Sequence, residues 1–275
     1  MNSTTVLMVS FRNIRWIIWN IKRIQILNRN KKLNFVIIDN DFLIRTYINF
    51  LIIKSFRLIF SGAEISICRN PNNKYRGSQQ HASALDFAKQ LIRSKYCIVM
   101  DPDFILVEKE LISKLLNVIE VEGLDLIGFP EARTSQNESQ QNGLGAYKFQ
   151  TPLPYFIIGK TSKLFRYSFQ PDVTTQFQLD TGYRLADKCL KKKLHFRVGN
   201  SFSTRNTQSE IKWLQSFNVT FHSMPEIGEG IVAVHFGRGS NPLARRKTRA
   251  SLVSAVYSYL EPIWFRLRIN KSFTN

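Results

Sequence analysis

Tyr96-Cys97-Ile98-Val99-Met100-Asp101-Pro102-Asp103-Phe104 is the stretch on which the fold turns. Tyr96 to Met100 reads as a strand, and it runs straight into two carboxylates one residue apart. Upstream, Val6 to Phe11 is a short β-branched run, followed by apolar residues at Ile14, Ile17, Ile18, Ile21, Ile24 and Leu27. Those spacings of three and four predict a helix. Leu33 to Ile38 reads as a second strand that ends abruptly in Asp39, Asn40 and Asp41, and roughly Ile44 to Ile59 as a second helix. Glu64 to Cys68 reads as a third strand. After a polar loop from Asn70 to Gly77, Ala84, Leu85, Ala88, Leu91 and Ile92 mark a third helix that leads into the opening stretch. Strand and helix alternate throughout, which predicts an α/β fold with a mostly parallel central sheet and helices on both faces. Asp101 and Asp103 then stand at the carboxyl end of a central parallel strand, the edge where open α/β sheets bind ligands.

Downstream, Glu131 to Gly145 is rich in Gln, Asn, Ser and Gly and reads as an exposed loop of the length often found in lids. Tyr155 to Gly159 reads as a strand and Leu179 to Leu190 as a helix. Ile231 to Phe236 reads as a final strand ending in His235, Phe236, Gly237, Arg238 and Gly239. The tail differs in character: Leu252, Val253, Val256, Tyr257, Leu260, Ile263, Trp264 and Leu267 form an apolar face with Arg245, Arg246, Lys247, Arg249, Arg266 and Arg268 around it. Such a segment suits an anionic membrane surface, and it equally suits a helix packed on the preceding domain. Pro262 kinks or breaks either version. The expected organisation is one domain over 1–240 and a basic amphipathic tail over 241–275.

The 275 residues hold 44% hydrophobic residues and 21 Phe, which excludes a disordered or low-complexity chain. Lys and Arg number 39 against 20 for Asp and Glu, a formal charge of +19, so polyanions and anionic headgroups are attracted. Ten of the basic residues and only Asp39 and Asp41 of the acidic ones lie between Met1 and Phe60. Cys68, Cys97 and Cys189 are odd in number and widely spaced, which points to reduced thiols inside a cell. No signal-peptide pattern opens the chain, and no apolar run approaches the ~20 residues of a spanning helix. The expectation is a cytoplasmic protein, peripheral on the inner face of the membrane if the tail binds lipid.

A pair of carboxylates one residue apart can hold a hard divalent cation from one side, and such a cation can clamp a diphosphate. A solvated turn explains an isolated Asp-X-Asp equally well. Val6-Leu7-Met8-Val9-Ser10-Phe11, Phe35-Val36-Ile37-Ile38-Asp39-Asn40, and the stretch from His81 through Ala84-Leu85 to Asp101-Pro102-Asp103-Phe104 together resemble the nucleotide-binding half of a GT-A fold glycosyltransferase. In order and spacing they are similar to family 2, the inverting nucleotide-sugar transferases. Pro154-Tyr155-Phe156 with Gly159 resembles the acceptor-side strand, and Asp180-Thr181-Gly182-Tyr183-Arg184-Leu185 resembles the motif of the catalytic base. The likeness runs from Val6 to Gly239.

The resemblance implies roles for individual residues. Ser10 and Asp39 match nucleotide contacts, and Asp101 and Asp103 match the metal and diphosphate motif, with Asp103 the direct ligand of Mn2+ or Mg2+. Asp180 matches the general base, His235 a metal or diphosphate ligand, and Arg238 a group that neutralises the leaving phosphates. It implies a nucleotide-sugar donor, UDP-linked in the commonest case, and a hydroxyl acceptor on a glycan or lipid-linked molecule. The Gln, Arg and Trp motif of processive synthases is not evident, although Gln208 and Trp213 are present, so the expectation is addition of single sugars.

Plainer readings remain open beside these. Asp39 suits a helix N-cap and Asp180 a first helical turn. His235 reads as readily as a structural histidine, and His81 reads more readily as a residue that orders a loop. Two rival functions also stand: a non-catalytic basic protein of the same fold that holds anionic glycan, lipid or nucleic acid, and a sugar nucleotidyltransferase. Against the second, no Gly-rich phosphate loop follows the first strand, and nucleic acid is the least favoured partner.

Overall fold

The computed structural model describes residues 3–11, 13–41, 43–56, 63–72, 77–132, 143–171, 180–203, 219–228 and 230–236. Most of the expected lid, residues 237–239 with Arg238, and the tail over 241–275 lie outside the described residues.

The first half alternates strand and helix: β1 (Thr4–Ser10), α1 (Ile14–Leu27), β2 (Leu33–Asp39), α2 (Leu43–Phe56), β3 (Glu64–Arg69), α3 (Gly77–Ala88) and β4 (Tyr96–Met100). The second half is more broken: β5 (Phe104–Leu106), α4 (Leu111–Val121), β6 (Leu126–Gly128), a 3-10 turn (Gly143–Phe149), β7 (Phe156–Lys160), α5 (Thr161–Leu164) and α6 (Tyr183–Leu190). Short strands β8 (Phe196–Val198), β9 (Asn200–Ser203), β10 (Thr220–Ser223) and β11 (Ile231–His235) complete it.

Seven strands form the central sheet in the order β3-β2-β1-β4-β7-β6-β8. β7 alone runs against its neighbours, so the sheet is mostly parallel. Every residue of β1 and of β4 is buried, as expected of strands covered on both faces. Alternate residues of β1 serve opposite layers. Val6 and Met8 pack with Ile17, Ile21 and Ile24 of α1 and Leu115 and Ile119 of α4. Leu7 and Val9 pack with Ala84, Leu85 and Ala88 of α3, Leu164 of α5 and Leu185 of α6. The period of two in the strand is therefore what separates the two helical layers.

A second, antiparallel sheet in the order β5-β11-β10-β9 grows from the carboxyl end of β4. β5 starts one residue after Asp103 and pairs with β11, with His235 opposite Phe104. That register brings the last described strand to the acidic turn.

The predicted strands match observed ones within a residue or two. The helix expected from Leu179 begins instead at Tyr183, because Gly182 has φ +85°, a left-handed conformation outside any α-helix. Gly159 has a different reason to be glycine: a Cβ there would stand 2.6 Å from the carbonyl oxygen of Asp125 on the approach to β6. β5, β6 and β8 to β10 have no counterpart in the sequence reading, since three or four residues are too few to display a period.

Candidate active site at the carboxyl edge of the central sheet

Asp101, Asp103 and His235 converge at the end of β4. The backbone sets them there. Asp101 N–H donates to the Tyr155 carbonyl, and the Asp101 carbonyl accepts from Phe104 N–H, which closes a tight turn around Pro102. Phe236 N–H donates to the Asp103 carbonyl and ties β11 to that turn. From the helical layer, Asn20 Nδ2 donates to the carbonyls of Pro102 at 3.2 Å and Phe104 at 2.7 Å. Asn20 is fully buried on the apolar stripe of α1, between Ile17 and Ile21. A lone amide on an apolar helical face was the sequence signal for this clamp, and it passed unread.

His235 Nε2 lies 3.7 Å from Asp101 Oδ2 and 3.5 Å from Asp103 Oδ1, which are ion-pair rather than hydrogen-bond separations. One ligand atom from each of the three residues falls within 4.8 Å of the others. Asp103 is buried, whereas Asp101 keeps 29% of its side chain exposed, so the group opens to solvent on the Asp101 side. Asp103 Oδ2 and His235 Nε2 are buried with no hydrogen-bond partner. Two carboxylates and an imidazole whose donor atoms are left unsatisfied fit a divalent cation such as Mn2+ or Mg2+.

Desolvation pushes the Asp101 carboxyl above its usual range, and the charges of Asp103 and Asp180 add to that against the pull of His81 and His235. For His235, burial works to lower the pKa, but the facing Asp103 carboxylate, with Asp101 and Glu131, outweighs it and leaves the imidazole raised. The Tyr155 ring stacks on His235 with centroids 4.6 Å apart and an interplanar angle of 25°. Behind this pair His222 is fully buried among Phe104, Phe129 and Tyr155, with Nδ1 2.9 Å from Ser201 Oγ. Burial, and then the charge of His235, hold it well below the usual imidazole range.

The structure also brings His81 to the cluster, with Nε2 3.7 Å from Asp101 Oδ1. α3 carries His81 to the acidic turn, a placement that a structural role fits as well as a part in the site. His222 offered no usable pattern, because its neighbours become neighbours only through the second sheet.

Asp180 sits just before α6, half exposed. Its Oδ1 accepts from Thr181 N–H at 2.7 Å, its backbone N–H donates to the Tyr147 hydroxyl, and Lys148 Nζ stands 4.0 Å from Oδ2. Thr181 Oγ1 donates to the Ser78 carbonyl, which fastens this loop to α3, the helix of His81. The charge of Asp180 is the weakest of those that act on the Asp101 carboxyl.

Ser10 and Asp39 end the neighbouring strands and face each other across the β1–β2 ladder. Both are fully buried. Asp39 Oδ1 accepts from Asp41 N–H and Oδ2 from Asn49 Nδ2 at 2.8 Å, while Ser10 Oγ has no partner. Asp39 thus closes the turn after β2 with both oxygens engaged, but its bond to Asp41 N–H falls short of α2, which starts at Leu43, so it is not the helix N-cap of the plainer reading. The position of Arg238 lies outside the described residues.

No protein-family model and no curated protein sequence matches the chain. Solved structures do. The mannosyltransferase PcManGT from Pyrobaculum calidifontis, solved with GDP-Man and Mn2+, superposes with a TM-score of 0.52 at 11% identity, over 72% of this chain and 54% of that one. The 1-349 segment of S. aureus TarS, solved with UDP, gives 0.48 at 12% identity over 71% and 57%. Glucosyl-3-phosphoglycerate synthase from Mycobacterium tuberculosis, solved with phosphoglyceric acid, gives 0.47 at 15% identity over 72% and 69%. The chain spans about half the length of the mannosyltransferase. A mostly parallel seven-stranded sheet, an acidic turn closing its central strand and a small antiparallel sheet growing from that turn, taken with this superposition, make the fold of the chain the GT-A fold of nucleotide-sugar glycosyltransferases.

Proposed function

We propose that the chain is a metal-assisted glycosyltransferase that moves a sugar from a nucleotide diphosphate donor to a hydroxyl on a glycan or lipid-linked acceptor, with inversion at the anomeric carbon. The observation that carries this reading is the group of Asp101, Asp103 and His235, whose donor atoms converge at the carboxyl end of the central strand with two of them unsatisfied. The superposed mannosyltransferase was solved with a nucleotide sugar and Mn2+, which supports the same donor class here. The transferase domain covers 1–240, and 241–275 is a basic tail.

Asp103 and His235 would hold the cation, with Asp101 on the open side. When bound, the cation supplies positive charge that stabilises the departing diphosphate. The chain's own residues do the rest. Asn20 holds the turn so that the two carboxylates keep their separation, which is the preorganisation that electrostatic stabilisation needs. Tyr155, flat against His235, fixes the imidazole plane. Asp180 is half exposed and has one oxygen bound to Thr181 N–H, which leaves the other near Lys148 and open to an acceptor. There it takes the proton from the attacking hydroxyl, and a single displacement inverts the sugar. Ser10 and Asp39 close the nucleotide side of the edge, and direct contact with a base or ribose requires the buried Asp39 carboxylate to become accessible. Arg238 is assigned to the leaving phosphates. UDP is the expected nucleotide.

The decisive experiment is a thermal-shift panel of nucleoside diphosphates with and without Mn2+, followed by an assay for diphosphate release from the stabilising nucleotide's sugar conjugate. Joint stabilisation by nucleotide and metal with nucleoside diphosphate as product is expected. Pyrophosphate as product, or stabilisation by polyanions irrespective of metal, overturns the reading.

A further inference from the structure

Helix α2 turns apolar side chains away from the protein. Among its described side chains only Asn49 and Ile53 are buried, while Leu43, Ile44, Tyr47, Ile48, Phe50 and Leu51 are 43% to 71% exposed. Residues 43, 47 and 51, and 44 and 48, fall four apart, so the exposed groups gather along one side of the helix rather than scattering. Single exposed apolar residues need no explanation, but a contiguous strip of this kind marks a contact surface.

The charge on α1 and α2 beside the strip is basic, with Glu64, exposed at the start of β3, an acidic exception near the end of α2. Lys54 is exposed on α2 itself, and Lys22, Arg29 and Lys32 are exposed on or just after α1, which packs beside α2. The only acidic residues between Met1 and Phe60, Asp39 and Asp41, are buried. A second copy of a chain carrying +19 would bring like charge against like charge at this face. An anionic bilayer complements both halves of the surface: acyl chains accept the apolar strip and phosphate groups accept the lysines. No described helix is long and apolar enough to cross a membrane, so contact of this kind lies in the interface.

We propose that α2 docks the protein on an anionic lipid surface. α2 begins at Leu43, directly after the carboxyl end of β2, so its first turn shares the sheet edge with Ser10, Asp39 and Asp101. Docking through Leu43, Ile44, Tyr47 and Ile48 turns that edge toward the headgroups. The proposal rests on the helix alone and stands or falls independently of the transferase reading.

The test is co-sedimentation of the full chain with phosphatidylcholine vesicles with and without phosphatidylserine. Binding is expected with phosphatidylserine and should weaken as salt rises. Ile44→Glu combined with Ile48→Glu should lower it about tenfold or more, and Lys54→Ala about fivefold. Mn2+ binding by the same variants, followed by calorimetry, should be unchanged. A polarity-sensitive fluorophore on Tyr47→Cys in a Cys68→Ser background provides a second readout that leaves the helix otherwise intact. Its emission should be that of a solvated probe in the free protein and shift to the blue on anionic vesicles. Equal binding to neutral vesicles, parental binding by the double Glu variant, or a dimer that this variant dissolves would each overturn the proposal. So would a probe already blue-shifted without lipid, since the chain itself would then cover the helix.

Discussion

Two polar clusters stand at the carboxyl ends of β2 and β4, on either side of β1, and they differ in how fully their strand-end carboxylates are paired, although Ser10 Oγ beside the first also lacks a partner. At β2, Asp39 has both carboxylate oxygens engaged, and Asn70 Nδ2 reaches Asn40 Oδ1 at 2.8 Å and Ser83 Oγ at 3.0 Å while Gln80 Nε2 holds the Asn40 carbonyl. At β4, Asp101 and Asp103 face one another across a histidine, and Asp103 Oδ2 and His235 Nε2 lack partners. A satisfied network holds a backbone in place, whereas an unsatisfied one carries repulsion and desolvation that a ligand can relieve. The first cluster shapes the edge, and the second is the one on which the proposed chemistry rests.

The largest expected effect follows from emptying the second cluster of a charge. Asp103→Asn should lower nucleotide-sugar turnover about 10³-fold. Its melting temperature should hold or rise, because a buried carboxylate beside Asp101 is removed; a lower melting temperature with turnover retained would make this cluster structural as well. Asp180→Asn should lower transfer about 10²-fold. Since Asp180 lies outside the Asp101, Asp103 and His235 group, calorimetric Mn2+ affinity should stay as in the parent, and a parallel loss of both would merge what the comparison keeps apart.

Asn49→Ala reverses the experiment on the β2 cluster. It strands Asp39 Oδ2 in a buried position and should cost about 1–3 kcal/mol in urea unfolding, with Mn2+ affinity unchanged.

The smallest expected effect concerns His222. Burial depresses its pKa in the folded protein, so below the ordinary imidazole value of 6.5 the unfolded chain takes up a proton that the native state refuses. Stability is then full above that pH and declines as the pH falls below it toward the folded value. His222→Phe should flatten this part of the melting temperature profile, whatever it does to the absolute value. An unchanged slope between pH 7 and pH 5, roughly the window set by an unperturbed imidazole, would remove His222 from the acid response.

Much of the architecture was legible because long parallel strands carry no competing signal. Tyr96–Met100 is buried at every position, and its apolar run could be read without knowing its neighbours. α1 was legible to the residue because its buried positions repeat at helical spacing. α4 carries the same stripe at Leu111, Ile112, Leu115, Leu116 and Ile119, so its helical period is equally local. The site was half legible. Asp101 and Asp103 stand one residue apart in sequence and are conspicuous, and His235 ends a readable strand. Asn20 is marked only as a lone amide on an apolar helical stripe, and His81 and His222 carry no local mark of their places.

By itself the sequence determined that β1 to β4 form parallel strands and that two carboxylates close the last of them, since both facts are local: a run of apolar residues and the Asp-Pro-Asp after it. Tertiary structure alone decided that β5 pairs with β11 and so brings His235 to Asp101, that α3 carries His81 to the same carboxylate, and that Asn20 clamps the turn from a helix 82 to 84 residues earlier. Pairing across such separations depends on loop closure and on packing summed over the whole sheet, and no local pattern records it.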